Sequence, residues 1–231
     1  MRVAGIIGGL GPETTAEFYL EVLLKSSKTN SRSRPRILID SIDMDLEAEE
    51  MFIKENKSHS IYKKSLIEAA RRLQVAGADF IVIPCNSVHI FINDVRSSVN
   101  IPVLSIVEET VKKLTELDYR RIGLMATSTT IANSIYKNIE DSCQVFCLNK
   151  SDQESMDELI IKLVNKRHQK SDIRNIKKLA IKLSRQNKLD RILLACTDLQ
   201  IAISSLKQVK VLDTMLILAE ATVREIFAVK L

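Results

Sequence analysis

The sequence predicts a parallel α/β fold built twice. Short β-rich apolar runs alternate with amphipathic helical stretches along the whole chain, the signature of a parallel sheet with crossover helices. Two of these runs, Phe80-Ile81-Val82-Ile83-Pro84 and Arg191-Ile192-Leu193-Leu194-Ala195, each halt at a cysteine followed by small hydrogen-bonding residues. The opening of the chain is also echoed later. Arg2-Val3-Ala4-Gly5-Ile6 leads to Thr14-Thr15 and Phe18-Tyr19, and Arg121-Ile122-Gly123-Leu124-Met125 leads to Thr129-Thr130 and Ile135-Tyr136. The cysteine runs follow at comparable distances, so duplication is expected, with two units about a pseudo-twofold axis and the thiols facing across a cleft.

In order, residues 3–7 read as a buried first strand running into Gly8-Gly9-Leu10-Gly11-Pro12, and residues 14–27 as a helix. A strand at 36–40 and a helix at 58–76 follow, with Gly77 as a left-handed cap. Strands at 79–83 and 101–104 complete the first set, and a short hinge is expected near Ser105 and Ile106. The second set has a helix at 108–117, strand Arg121–Ala126, a helix at 130–140 and a strand at 144–148. Helices at 152–166 and 173–186, strands Arg191–Ala195 and 209–212, and a last helix Thr214–Phe227 close the chain. Residues 43–57 are read as the loop after the second strand.

At 231 residues, 45% hydrophobic and 27% charged, the composition is that of a folded globular protein with an aliphatic core, since there is no Trp. No apolar run approaches the roughly 18 residues of a membrane span. The N-terminal run enters a glycine loop without a cleavage pattern, so it reads as a strand rather than a signal peptide. Four cysteines are too few for a disulfide scaffold, and reduced thiols in a cytoplasmic protein are expected. The net charge of +5 concentrates on one helix. There Lys170, Arg174, Lys177, Lys178, Lys182 and Arg185 oppose an apolar stripe of Ile173, Ile176, Leu179, Ala180 and Leu183. That is a solvated basic face. With no interleaved aromatics and no nucleic-acid motif, neither nucleic acid nor membrane is expected as a partner.

Ligands of open parallel sheets bind beyond the carboxyl ends of the strands, where Cys85 and Cys196 fall. Matched thiols on opposite sides of one substrate suit an enzyme that removes a proton from one face and returns one to the other. Each precedes a turn or helix start whose free N–H groups favour the thiolate. Asn86, Ser87, Thr197 and Asp198 offer hydrogen bonds to carboxylate and ammonium groups, or cap helices. The Gly8–Pro12 loop, with Leu10 at its centre, lets backbone N–H groups approach an anion, although it matches neither a Walker motif nor the dinucleotide fingerprint. Cys143 and Cys147 read as strand packing, and no metal ligand set is expected. His59 and His89 read as satisfied structural histidines or polar site members.

Gly8-Gly9-Leu10-Gly11-Pro12-Glu13-Thr14-Thr15, Pro84-Cys85-Asn86-Ser87-Val88-His89, Ala126-Thr127 with Thr130, and Cys196-Thr197-Asp198-Leu199 resemble the aspartate/glutamate racemase superfamily, its aspartate racemase branch most closely. The resemblance spans nearly the whole chain, through Asp213-Thr214 and Ala219-Glu220-Ala221. It implies two flavodoxin-like domains, each a four-stranded parallel sheet flanked by helices. The first would hold 1–105 with 213–231 and carry Cys85; the second would hold 106–212 and carry Cys196. It further implies a homodimer that racemises aspartate without cofactor or metal, using Cys85 and Cys196 as the two catalytic bases. Leu10, Asn86, Ser87, Thr127 and Thr197 match substrate-binding positions, and Lys166 matches a lysine that some members place at the side-chain carboxylate. Where some members carry an arginine after the second strand, residues 43–57 contain none, and Lys54 is the expected substitute. Glutamate or broad-specificity racemisation and dicarboxylate cis–trans isomerisation are the neighbouring chemistries. A ligand-binding or redox protein is the reading outside enzymes.

Overall fold

The computed structural model describes residues 1–30, 32–139, 143–203 and 208–228. Strands β1 (Ala4–Gly8), β2 (Ile37–Ser41), β3 (Phe80–Val82) and β4 (Val103–Leu104) form a parallel sheet in the order β2-β1-β3-β4. Strands β5 (Arg121–Ala126), β6 (Gln144–Phe146), β7 (Arg191–Ala195) and β8 (Val211–Asp213) repeat it as β6-β5-β7-β8. The chain is therefore α/β, with two similar four-stranded parallel sheets. In each sheet the strand order reverses beside the inner pair, which opens a crevice beyond the carboxyl ends of β1 and β3 and again beyond β5 and β7.

Period-two alternation explains why the inner strands are apolar throughout. In the first sheet Ile7, Ile81 and Ile83 face Leu66 and Leu73 of α3 (His59–Val75). Ile6, Phe80 and Val82 point to the other side, against Phe18 and Val22 of α1 (Pro12–Thr29) and Met215 and Leu218 of α10 (Thr214–Phe227). In the second sheet Ile192 and Leu194 pack on Ile176, Ala180 and Leu183 of α8 (Lys170–Asn187). Leu193 and Ala195 face Leu114 of α5 (Ile106–Leu117) and Tyr136. Gly77 adopts the left-handed conformation expected after α3, at φ +92. Among the described residues no helix is long and apolar enough to cross a membrane.

Among the stretches that differ from the sequence expectation, three shape the middle of the molecule. Residues 43–57 are not a loop, for they contain α2 (Leu46–Glu55). Asp45 caps it by accepting from the Ala48 N–H at 3.0 Å, and Ala48, Glu49, Phe52 and Ile53 are buried. The helix expected over 130–140 shortens to α6 (Ser128–Ala132), and residue 140 lies outside the described residues. Asn133 ends it by turning its side chain back to the Thr129 carbonyl (2.8 Å), and Ser134 follows at φ +50. At the position expected for a hinge, Ser105 caps α5 and accepts from the Glu108 N–H at 3.3 Å. Ile106 packs in the first sheet's core and Leu114 in the second's, so one helix carries the chain across.

With α2 in place, the two halves correspond element by element. The helices after β2 are α2 and α3; those after β6 are α7 (Lys150–Val164) and α8. α2 packs across the middle of the molecule against α6 and α7. There the Thr129 hydroxyl donates to the Phe52 carbonyl, and Asn133 Nδ2 donates to Asn56 Oδ1 at 2.7 Å.

Replacing a helix N-cap carboxylate by alanine costs about 1 kcal/mol. We expect Asp45→Ala to lower unfolding free energy by that amount in urea melts and to speed amide exchange in α2 more than in α3. Equal exchange in both helices, with unchanged stability, would contradict the role assigned to this cap.

Candidate active site

Both crevices open toward each other, and the residues that end the inner strands meet there. β3 stops early because Pro84 has no N–H to continue the ladder, and the Cys85 N–H turns back to the Ile83 carbonyl at 2.8 Å. The thiol is thereby aimed out of the sheet. On the other side β7 runs directly into Cys196. Cys85 and Cys196 line one cavity. Leu10 and Gly11 from the loop after β1 line it too, as do Ser87 and Thr127. Its remaining wall comes from α2 (Glu49, Phe52, Ile53), Tyr62 of α3, Ile160 and Val164 of α7, Val88 and Asp198.

Hydroxyl groups join the two halves around this cavity. Ser87 Oγ lies 2.9 Å from Thr127 Oγ1 and 3.0 Å from Thr130 Oγ1. Thr14 donates to Asp198 Oδ1 at 2.6 Å, and Thr197 donates to the Pro84 carbonyl at 3.2 Å. Asn86 Nδ2 donates to Thr214 Oγ1 at 3.0 Å, while its Oδ1 accepts from the Tyr136 hydroxyl. Gly11 sits at φ +85, where a Cβ would lie 2.7 Å from Asp198 Oδ1, so only glycine lets α1 start this close to the second half.

The expected substrate-binding residues divide accordingly. Leu10, Ser87 and Thr127 line the cavity. Asn86 and Thr197 are outside its lining, and their side chains are occupied by the contacts between halves. Neither lysine reaches it. Lys54 is 40% exposed and 3.9 Å from Glu158; Lys166 is 62% exposed and pairs with Glu13 at 3.0 Å. Both point to water because an ammonium gains more from solvent and a surface carboxylate than from an apolar wall.

Two acids take the place of the expected cations. Asp198 lines the cavity beside Cys196, whose Sγ donates to Asp198 Oδ2 at 3.8 Å. Burial pushes the Asp198 carboxyl up to about 6, against the pull of Thr14. Glu49 is only 7% exposed, and burial, then the charges of Asp198 and Glu50, push it up to about 7. Asp198 was legible from the Cys196-Thr197-Asp198 motif. Glu49 was not, because its helix was missed; Asp45 as a cap before apolar residues at positions 48, 52 and 53 was the available signal.

The thiols also depart from expectation. The anticipated N–H groups are close enough to favour the thiolates: those of Val88 and Ser87 pull Cys85 down, and those of Asp198 and Leu199 pull Cys196 down. Burial outweighs them. Cys85 is pushed up to about 12, and Cys196, 7% exposed and beside the Asp198 charge, rises well above the usual thiol range.

The histidines are structural. The Ile106 N–H donates to His89 Nε2 at 3.2 Å, which places the ring proton on Nδ1, where it donates to the Cys85 carbonyl at 2.7 Å. Burial pushes His89 down to about 4, so this neutral clamp holds the Cys85 turn. His59 lies 2.8 Å from Asn56 Oδ1 and packs edge-on against Phe52 and Phe91. Cys143 donates to the Ile139 carbonyl at 3.4 Å, and Cys147 is exposed; neither is at the cavity.

Known proteins resemble this chain in sequence and fold. Broad specificity amino-acid racemase RacX of Bacillus subtilis (strain 168) is 27% identical over 225 residues, which cover 95% of this chain and 96% of RacX. Picrophilus torridus aspartate racemase has a TM-score of 0.81 at 23% identity, over 98% of this chain and 94% of that one. An aspartate racemase homologue from Pyrococcus horikoshii OT3 has a TM-score of 0.76 at 25% identity, over 99% and 100%. The family described as Asp/Glu/Hydantoin racemase matches residues 7–222. Because that match runs from the end of β1 into the second half of α10 and takes in both sheets, the chain belongs to the Asp/Glu/hydantoin racemase family.

Proposed function

We propose that the protein racemises a free amino acid by a two-base mechanism in which Cys85 and Cys196 serve opposite faces of the α-carbon. The observation that carries this reading is that the two thiols line one cavity, each delivered by the inner strand of a different sheet. Ser87 and Thr127, with the N–H groups around them, supply donors for the α-carboxylate.

Neither thiol ionises readily at this depth, so a proton acceptor is needed. Asp198 has the geometry for it. The Cys196 proton moves to Asp198, and the thiolate takes the α-proton. Cys85 then delivers its own proton to the opposite face and is left as the thiolate for the reverse reaction. The substrate's α-ammonium supplies the positive charge that makes this transfer favourable in a low-dielectric site. Acid and base both come from the chain, and the scheme calls on no cofactor.

Aspartate is the substrate the motifs point to. Its distal carboxylate would require Lys54 or Lys166 to leave its surface partner, since neither lysine nor arginine lines the cavity. A dicarboxylate isomerase makes the same demand. RacX, a relative over nearly the full length, is named for broad specificity, which supports amino-acid racemisation without fixing the side chain.

The primary test is α-proton exchange in deuterated water, followed by NMR across the common amino acids, with chiral chromatography of the products. No exchange with any of them between pH 6 and 10 would remove the racemase reading. Cys85→Ser and Cys196→Ser should each lower racemisation by at least roughly a hundredfold, given the usual contribution of a positioned acid or base. Each variant should retain exchange with only one enantiomer. Full racemisation by either one is incompatible with two bases.

Activity should also carry the titration of Asp198. The ionised carboxylate is the form that accepts the thiol proton, so kcat/KM should rise with pH through about 6. In Asp198→Asn that limb should move to higher pH, as Cys196 must then ionise unaided. A pH profile identical to that of the unaltered protein would rule out Asp198 as the acceptor.

A further inference from the structure

We propose that the cavity selects amino acids with a cationic side chain, whose distal ammonium or guanidinium pairs with the Glu49 carboxylate. This inference rests on the racemase reading for the chemistry, but its basis is the charge arrangement of the wall.

Glu49 projects from α2 into the same cavity as both thiols and is more than nine-tenths buried. Its carboxylate has no side-chain hydrogen bond or ion pair among the described residues, although every other buried acid near the site has one: Asp198 accepts from Thr14, and Asp157 accepts from Ser128 and Gln153. A carboxylate this deep without a partner is costly in its charged form, and a cation entering the cavity would supply the missing charge. Its upward displacement to about 7 has the same origin, burial first and then the repulsion of Asp198 and Glu50.

The surrounding wall suits a cation on an aliphatic stem. Ile53, Ile160 and Val164 offer apolar contact for methylene groups. Phe52 and Tyr62, stacked with centroids 4.0 Å apart, present aromatic surface of the kind that attracts ammonium and guanidinium groups. The complementary argument concerns charge count. The lining holds two carboxylates and no lysine or arginine. A basic amino acid brings two positive groups, one for Asp198 beside the reacting thiols and one for Glu49. Aspartate brings a second negative group to a wall that already has two carboxylates.

The experiment measures both turnover and binding on the full chain. L-lysine, L-ornithine, L-methionine and L-aspartate are compared by α-proton exchange and by isothermal titration calorimetry, with Glu49→Gln alongside. Glutamine keeps the shape of glutamate, removes the charge and turns one acceptor oxygen into an NH2 donor. We expect lysine or ornithine to be preferred over methionine, and aspartate to be the poorest. In Glu49→Gln the ratio of kcat/KM for lysine to that for methionine should fall by at least roughly 30-fold, as when one partner of a buried charge pair is removed. An equal loss on both substrates would overturn the proposal, because Glu49 would then serve the α-ammonium. A preference for aspartate in the unaltered protein would overturn it too. The two readings fail separately. Lysine binding that depends on Glu49 without α-proton exchange defeats the racemase reading and keeps the cation site. Exchange with methionine or aspartate, without lysine binding, does the opposite.

Discussion

Burial of polar groups between two sheet ends is the constraint on which this structure depends. The carboxyl ends of parallel strands leave backbone and side-chain groups that need partners, and here the two crevices satisfy each other. Thr197 reaches the carbonyl of Pro84, Asn86 reaches Thr214, Thr14 reaches Asp198, and Ser87 joins Thr127 and Thr130. Each bond crosses between the halves or ties them at α10. An unsatisfied group at this depth costs about 1–3 kcal/mol, so the geometry of the thiols is fixed by the same contacts that hold the halves in register.

That closure sets the electrostatics of the cavity. Burial disfavours charge on the thiols and acids that line it, and on His89 behind the Cys85 turn: the thiols and acids rise, and His89 falls. Helix-start amides oppose the shift without reversing it. On the racemase reading, an incoming zwitterion would be part of the electrostatic machinery, since its positive charge is what the cavity lining lacks.

Much of this was legible in the sequence because the inner strands of parallel sheets are unbroken apolar runs. The repeat of such runs, each halted at a cysteine, revealed both sheets and both thiols. Short elements carried less signal. In α2, Glu47, Glu49 and Glu50 obscure the spacing of Ala48, Phe52 and Ile53, and the buried acid among them reads as surface. Asn86 and Thr197 are the converse. Their motif positions suggested ligand contact, while their side chains are engaged by Thr214 and Pro84, tertiary partners that spacing alone does not reveal. Lys54 and Lys166 were plausible as clamps by position, and only the direction of their side chains excludes them from the cavity wall.

The duplication is not perfect at its centre. Cys196 has a carboxylate within reach of its sulfur, whereas the Cys85 turn is held by a neutral histidine and, among the described residues, no acid hydrogen-bonds its thiol. For a racemisation this inequality has a definite limit. Mirror-image amino acids have the same free energy in water, so the equilibrium constant is unity and the forward and reverse values of kcat/KM must be equal, however different the two bases are. The inequality of the thiols must then appear elsewhere. The enantiomer with the lower KM must have the lower kcat, in the same proportion.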